Sequence, residues 1–197
     1  MKKIFIPILF SFLFIQCKSV KKHNKHLYDL ISENELKSDI DFTYKKLQRL
    51  QPKLYWYISK KELDFKFDSL KSTITKPMSS FDFYKKLSPV VASIHQGHLT
   101  VSPSTKIISK SEQKNLKNKG IGPFSQFEFE VLNNQLYVVK NKSENKSIHP
   151  GAEVVAINGK KTTDLIQQYN ALFTSDGYNK TFKRKTDGKY VFRILYQ

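Results

Sequence analysis

Pro150-Gly151-Ala152-Glu153-Val154-Val155-Ala156-Ile157-Asn158-Gly159 is the most informative stretch of this 197-residue chain. Pro150-Gly151 is a turn pair, because proline presets its own φ and glycine accepts the left-handed region. The apolar run from Val154 to Ile157 predicts a buried strand. Asn158-Gly159 predicts a tight turn, whose two central residues both need positive φ. Upstream, Phe127, Phe129 and Val131 alternate with polar residues, and Asn133-Asn134 leads into Leu136-Tyr137-Val138-Val139. That pattern predicts a second hairpin. Downstream, Thr163 is placed to cap a short helix with Leu165, Ile166 and Tyr169 facing inward. Tyr190 to Tyr196 predicts a final strand.

Before residue 100 the period changes from two to three and four. Leu36, Ile40, Leu47 and Leu50 lie on one face of a helix that starts at Ser32 and stops at Pro52. Leu54-Tyr55-Trp56-Tyr57 reads as an extended aromatic segment. Ser59-Lys60-Lys61-Glu62 has the spacing of a capping box, in which hydroxyl and carboxylate each take a free N–H. Leu63, Phe67, Leu70 and Ile74 continue behind it as a second stripe, ended at Lys76-Pro77. A third helix starts near Ser79 or Ser80 and carries Tyr84, Leu87, Val91 and Ile94. Pro89 predicts a kink in it or a fresh start, and Gly97 is placed to end it. Leu99 and Val101 alternate as a short strand closed by Pro103, and residues 104–119 read as a lysine-rich loop with one helical turn. The expected class is α+β, a helical N-terminal region followed by a β-rich module.

Composition bounds the function. With 39% hydrophobic and 13% aromatic residues the chain can build a core, so wholesale disorder is excluded. One cysteine rules out an internal disulfide framework and a cysteine-rich zinc site. His95-Gln96-Gly97-His98 and His23-Asn24-Lys25-His26 have H-x-x-H spacing but no third ligand near in sequence, so no metal and no cofactor are expected. The net charge of +17 suggests nucleic acid, yet its makeup argues against that partner: 31 of the 34 basic residues are lysine. Only Arg49, Arg184 and Arg193 offer a bidentate fork. Six lysines precede residue 27, a stretch without any acid.

Those lysines belong to a leader and its tether. Lys2 and Lys3 form a positive start, and Ile4 to Ile15 is apolar except for Ser11, with Pro7 as its other interruption. The run has the length of a signal-peptide core and is short for a bilayer span. Cys17 follows directly and resembles the acylated cysteine of a bacterial lipobox, although Gln16 stands where Gly, Ala or Ser is usual. Without that resemblance the segment reads as a secretory signal with an incidental cysteine, or as an uncleaved anchor. Lys18 to His26 reads as a basic tether able to lean on anionic lipid heads. The expected location is the exported bacterial cell envelope, facing the periplasm or on the outer membrane.

Leu50-Gln51-Pro52, Leu54-Tyr55, Phe83-Tyr84-Lys85-Lys86-Leu87, Gly97-His98-Leu99-Thr100-Val101, Gly122-Pro123-Phe124, Leu136-Tyr137-Val138-Val139 and the stretch from Pro150 to Gly159 occur in one order. Together they resemble the N-terminal half of tail-specific, or C-terminal-processing, serine peptidases, in the tricorn-like, retinoid-binding-protein-like branch. The resemblance covers roughly residues 30–197. Behind the signal peptide (1–17) and tether (18–29) read from the leader itself, it implies a helical region (30–100), a lysine-rich linker (101–119) and a PDZ-like module (120–197), with the catalytic α/β core missing. In that family the nucleophilic serine follows the PDZ-like module, where this chain ends. The implied function is therefore an N-terminal, non-catalytic portion of a lipid-anchored peptidase, inactive alone. The alternative is a stand-alone envelope lipoprotein that binds peptides in a PDZ-like groove.

The resemblance also assigns residues. His98 matches an upstream histidine that serves as general base, a role suited to a group titrating near neutrality. Its structural alternative is a corner with the ring hydrogen-bonded to a backbone carbonyl. Gly120, Ile121, Gly122 and Phe124 would offer the amides and apolar wall that hold a polypeptide C-terminus by strand addition. Their alternative is a flexible entry into a strand. No Gly-x-Ser-x-Gly elbow is present. The Ser-x-x-Lys pairs at Ser19/Lys22, Ser111/Lys114 and Ser143/Lys146 are the chance yield of so many lysines. The Asn141, Asn145 and Asn179 triplets reflect asparagine-rich loops rather than glycosylation.

Overall fold

The computed structural model describes residues 20–119 and 126–179, and within them the chain is α+β. Helix α1 (Val20–Lys25) leads to strand β1 (Leu30–Ile31), which pairs antiparallel with β2 (Met78–Ser79). Between the two strands lie α2 (Glu33–Leu50) and α3 (Lys60–Ser72), and α4 (Ser80–Ala92) follows directly. After α5 (Lys110–Lys119) come β3 (Phe127–Leu132), β4 (Gln135–Asn141) and β5 (Glu153–Val154), an antiparallel sheet in that order. Strands β6 (Ala156–Ile157) and β7 (Lys160–Lys161) form a hairpin that delivers the chain into α6 (Thr162–Asn170).

Serines start the three long helices for one physical reason. Ser32, Ser59 and Ser79 are extended, and each hydroxyl accepts a first-turn N–H, from Glu35, Glu62 and Asp82 respectively. At Ser32 the capping box is complete, with the Ser32 N–H donating to Glu35 Oε2 at 3.1 Å. At Ser59 the expected box is half built. The hydroxyl accepts from Glu62 N at 3.1 Å, but the Glu62 carboxylate turns to Lys66 at 3.6 Å.

Two apolar clusters form the core. Leu36 and Ile40 of α2, Leu63, Phe67 and Leu70 of α3, and Phe83, Leu87 and Val91 of α4 pack together with Leu54, Ile58, Ile74 and Ile94. The second cluster joins Val131 and Leu136 of the sheet to Leu165, Ile166 and Tyr169 of α6. Tyr84 of α4 belongs to it, so one helix is a wall of both clusters. Each fully buried Leu or Ile side chain contributes about 1.5–3 kcal/mol. Beside the first cluster Tyr44 stacks on Phe67 at 4.4 Å and donates to Asp64 Oδ1 at 2.5 Å. Burial, and then the Asp64 carboxylate, push the Tyr44 hydroxyl well above its ordinary pKa.

Several sequence expectations need correction. Leu50 is 64% exposed at the C-terminal end of α2, and Leu47 is the last apolar residue of the helix at the core. Leu54 to Tyr57 is not extended. Leu54 N–H donates to Gln51 O and Trp56 N–H to Lys53 O, which coils the segment so that Leu54 is buried. Helix α4 runs through Pro89 without restarting, and it ends at Ala92 rather than at Gly97. The left-handed residue after it is His95, with φ 56°. Leu99 and Val101 form no strand, because the Leu99 carbonyl is taken by the Thr174 hydroxyl at 2.6 Å. The lysine-rich stretch contains a ten-residue helix rather than a single turn.

In the β-rich part both turns are as expected. Asn133 and Asn134 have φ 51° and 64°, and Asn158 and Gly159 have φ 49° and 77°. The run from Val154 to Ile157 is not one buried strand. It splits into β5 and β6 with Val155 66% exposed between them, as the chain leaves one pairing partner for another. Thr163 does not cap α6. Lys161 holds the cap position without a side-chain bond, and the buried Thr162 hydroxyl donates to Val154 O at 2.6 Å. Leu165, Ile166 and Tyr169 do face inward. The expected strand from Tyr190 to Tyr196 lies outside the described residues.

Candidate functional site

The segments on either side of His98 meet the stretch that follows α6, residues 172–178, in a small polar junction. After Ala92 the chain makes one more turn, with Ser93 N–H to Pro89 O and His95 N–H to Ala92 O. His95 then adopts the left-handed region, which costs a non-glycine residue about 1–2 kcal/mol. Its carbonyl is captured by the Gly177 N–H at 2.8 Å, a bond that helps hold the unfavourable conformation. Buried Gln96 accepts from the Gln51 side chain and donates to the Lys53 carbonyl.

Gly97 is required by close approach. Its N–H donates to Asp176 Oδ1 at 2.7 Å, and a Cβ on it would sit 3.1 Å from that carboxylate. Gly177, at φ 55°, lies under the Tyr57 ring, 3.2 Å from where its own Cβ would be. Thr174 to Leu99 and Ser88 to Leu172 add two further side-chain bonds to backbone, each 2.6 Å long. The backbone around residues 95–99 is thereby fixed from both sides.

His98 stands at the outer edge of this junction. It is exposed, and its ring has no hydrogen-bond partner among the described residues. The alternative of a corner closed by a ring-to-carbonyl bond is therefore not what the described residues form. Around the corner lies a wall of aromatic rings. Trp56 stacks on Tyr57 at 5.9 Å, Tyr57 meets Tyr178 edge-on at 6.2 Å, and His95 lies 6.3 Å from Tyr178. Lys53 Nζ sits 4.0 Å above the Trp56 ring, a cation–π contact. Trp56 and Tyr178 are 61% and 82% exposed, so the wall faces solvent. Exposed aromatic faces beside imidazole rings suit the capture of an extended chain carrying apolar side chains.

Sequence reading found His98 but missed His95, Tyr57, Asp176 and Tyr178. Ser175-Asp176-Gly177 carried a turn signal, and the Tyr55-Trp56-Tyr57 run carried the aromatic density. Neither signal tells which distant segment it will meet. Gly120, Ile121, Gly122, Phe124 and Cys17 lie outside the described residues. Among the described residues no group of three metal-ligating side chains occurs, and no helix is long and apolar enough to cross a membrane. The Ser143 hydroxyl donates to Asn141 Oδ1 at 2.6 Å, and Lys146 Nζ donates to the Ser143 carbonyl at 2.7 Å rather than to that hydroxyl. Neither a known family model nor a curated protein matches this chain.

Proposed function

We propose that the chain is the peptide-binding, non-nucleophilic part of an exported serine peptidase similar to the tail-specific, tricorn-like family, anchored through lipid on Cys17. The observation that carries this reading is the exposed imidazole of His98, without a hydrogen-bond partner among the described residues, on a backbone held by Gln96, Asp176, Thr174 and Gly177. A general base needs a positioned backbone and an accessible nitrogen, and among the described residues the corner at His98 supplies both. In this reading His98 takes the proton of a serine hydroxyl supplied from outside the described residues. The strands from β3 onward belong to a PDZ-like module, whose groove at Gly120, Ile121, Gly122 and Phe124 receives a polypeptide C-terminus.

The test is peptide binding by the full chain, followed through the imidazole proton signals of His98 and the emission of Trp56. An apolar peptide with a free C-terminal carboxylate should shift both, and its C-terminally amidated twin should bind at least tenfold more weakly. A fluorophosphonate probe should leave the chain unlabelled. Equal binding of the two peptides would remove the PDZ-like groove from the proposal. Labelling of a serine in this chain would overturn the non-nucleophilic assignment.

A further inference from the structure

The lysine-rich stretch before residue 120 does not hang loose from the fold. Asn24 of α1 grips it with both ends of its amide: Nδ2 donates to Ile107 O and Oδ1 accepts from Ile107 N–H, each at 2.8 Å. Its immediate neighbour His23 has Nε2 2.9 Å from Thr105 O. Three residues after Ile107 the helix α5 begins, capped by Ser109, whose hydroxyl accepts from Glu112 N–H at 3.1 Å. The clamp therefore joins two segments more than eighty residues apart, and both are cationic. Lys21, Lys22 and Lys25 lie on one; on the other, Lys106 precedes α5 and pairs with Glu112 at 3.5 Å, and Lys110 and Lys114 are exposed one turn apart on the same side of a helix about 15 Å long, with Lys119 on the opposite side. Glu112 is the only acid in either segment.

Exposed apolar residues are interleaved with these lysines: Val20, Ile107 and Leu116. Behind the clamp is a cavity of about 480 Å³ lined by Lys22, His23, His26, Ser80 and Ser104 together with the apolar Leu27 and Ile31. The Ser80 hydroxyl is buried there without a hydrogen-bond partner among the described residues. Asp29 also lines the cavity, but its carboxylate is held by His26 Nδ1 at 2.6 Å. Lysines flanking modest apolar side chains are the pattern that settles at a headgroup layer, where each cation near an anionic surface strengthens attachment.

We propose that α1 and residues 104–119, locked together by Asn24, form a face that docks onto an anionic lipid surface, with the cavity behind the clamp admitting a headgroup phosphate. The face sits three residues from Cys17, so under the lipid-anchor reading it would meet the bilayer first and set the angle at which the rest of the molecule is presented. Its existence does not depend on the peptidase reading.

The experiment uses the full chain on phosphatidylcholine vesicles with and without phosphatidylglycerol, footprinted with an amine-reactive reagent and read residue by residue by mass spectrometry. Lys106, Lys110 and Lys114 should react several-fold more slowly on the anionic vesicles, with the difference erased by high salt. Lys45, Lys140 and Lys160 should be unchanged. Asn24→Ala should leave Lys21 and Lys25 protected but release Lys110 and Lys114. In Cys17→Ser, removing Lys110 or Lys114 should each weaken the salt-sensitive part of vesicle binding roughly fivefold.

Equal footprints on the two lipids, or equal protection of Lys45 and Lys140, would overturn the proposal. So would loss of the difference on adding inorganic phosphate but not chloride at the same ionic strength, which would mark a free-anion pocket instead. A failure of the anchor reading shows separately, as a chain that does not float with neutral vesicles.

Discussion

Gly97 and His95 make opposite demands on the backbone although they are two residues apart. Gly97 needs no positive φ; it needs room, because Asp176 lies over it. Gly97→Ala should therefore cost about 1 kcal/mol, the order of a hydrogen bond stretched or lost, as a lower midpoint in urea. Most of that penalty should vanish in an Asp176→Ala background, where nothing opposes the new methyl group. His95 needs the left-handed region and pays for it, with φ 56° and no glycine. His95→Gly should raise stability by about 0.5–1 kcal/mol in the same assay. If it also weakens peptide binding, the strained imidazole is retained for contact rather than for folding. Neither residue announces its role in sequence. The ending assigned to Gly97 belongs to His95, because a left-handed non-glycine is invisible until the Gly177 N–H that stabilises it is known.

Among elements, the helix starts carry the clearest expectations. Ser32→Ala should cost about 1 kcal/mol, since it frees the Glu35 N–H and dismantles the reciprocal bond. Carboxylates on these helices also tie the fold to pH. The Ser32 hydroxyl holds Glu35 below the usual carboxylate range; Lys60 and then Tyr44 do so for Asp64; Lys85 and then Ser79 do so for Asp82. A depressed folded value means stability that is present in full above the ordinary carboxylate pKa and is lost as pH falls through the lower, folded one. Helical signal should fall progressively through that acid window, and Glu35→Gln should flatten the slope. The helices were legible because an apolar stripe at every third or fourth residue, flanked by a capping serine, has one reading. The hairpins at Asn133-Asn134 and Asn158-Gly159 were legible for the same local reason. The strand expected at Leu99 and the buried run from Val154 to Ile157 were not, because their carbonyls answer to Thr174 and Thr162, and nothing local identifies such partners.

For the molecule as a whole, α4 is the element that matters. It gives Phe83, Leu87 and Val91 to one cluster and Tyr84 to the other, and its Ser88 hydroxyl donates to the Leu172 carbonyl across the boundary at 2.6 Å. Ser88→Ala should cost about 1–3 kcal/mol, because it leaves a carbonyl unsatisfied at a buried site. Phe67→Ala, deep in the first cluster, should lower stability by about 3–5 kcal/mol. Tryptophan emission and near-ultraviolet tyrosine signal should still melt together in that variant; separate transitions would mean that the two clusters fold independently. The shared wall also governs how such a molecule can be rearranged by recombination. A crossover placed at the apparent seam near residue 100 would hand the incoming β-rich half a helix shaped for its former neighbour. To be inherited as a working unit, that half must bring its own counterpart of Tyr84 and Ser88 or borrow an α4 already matched to it.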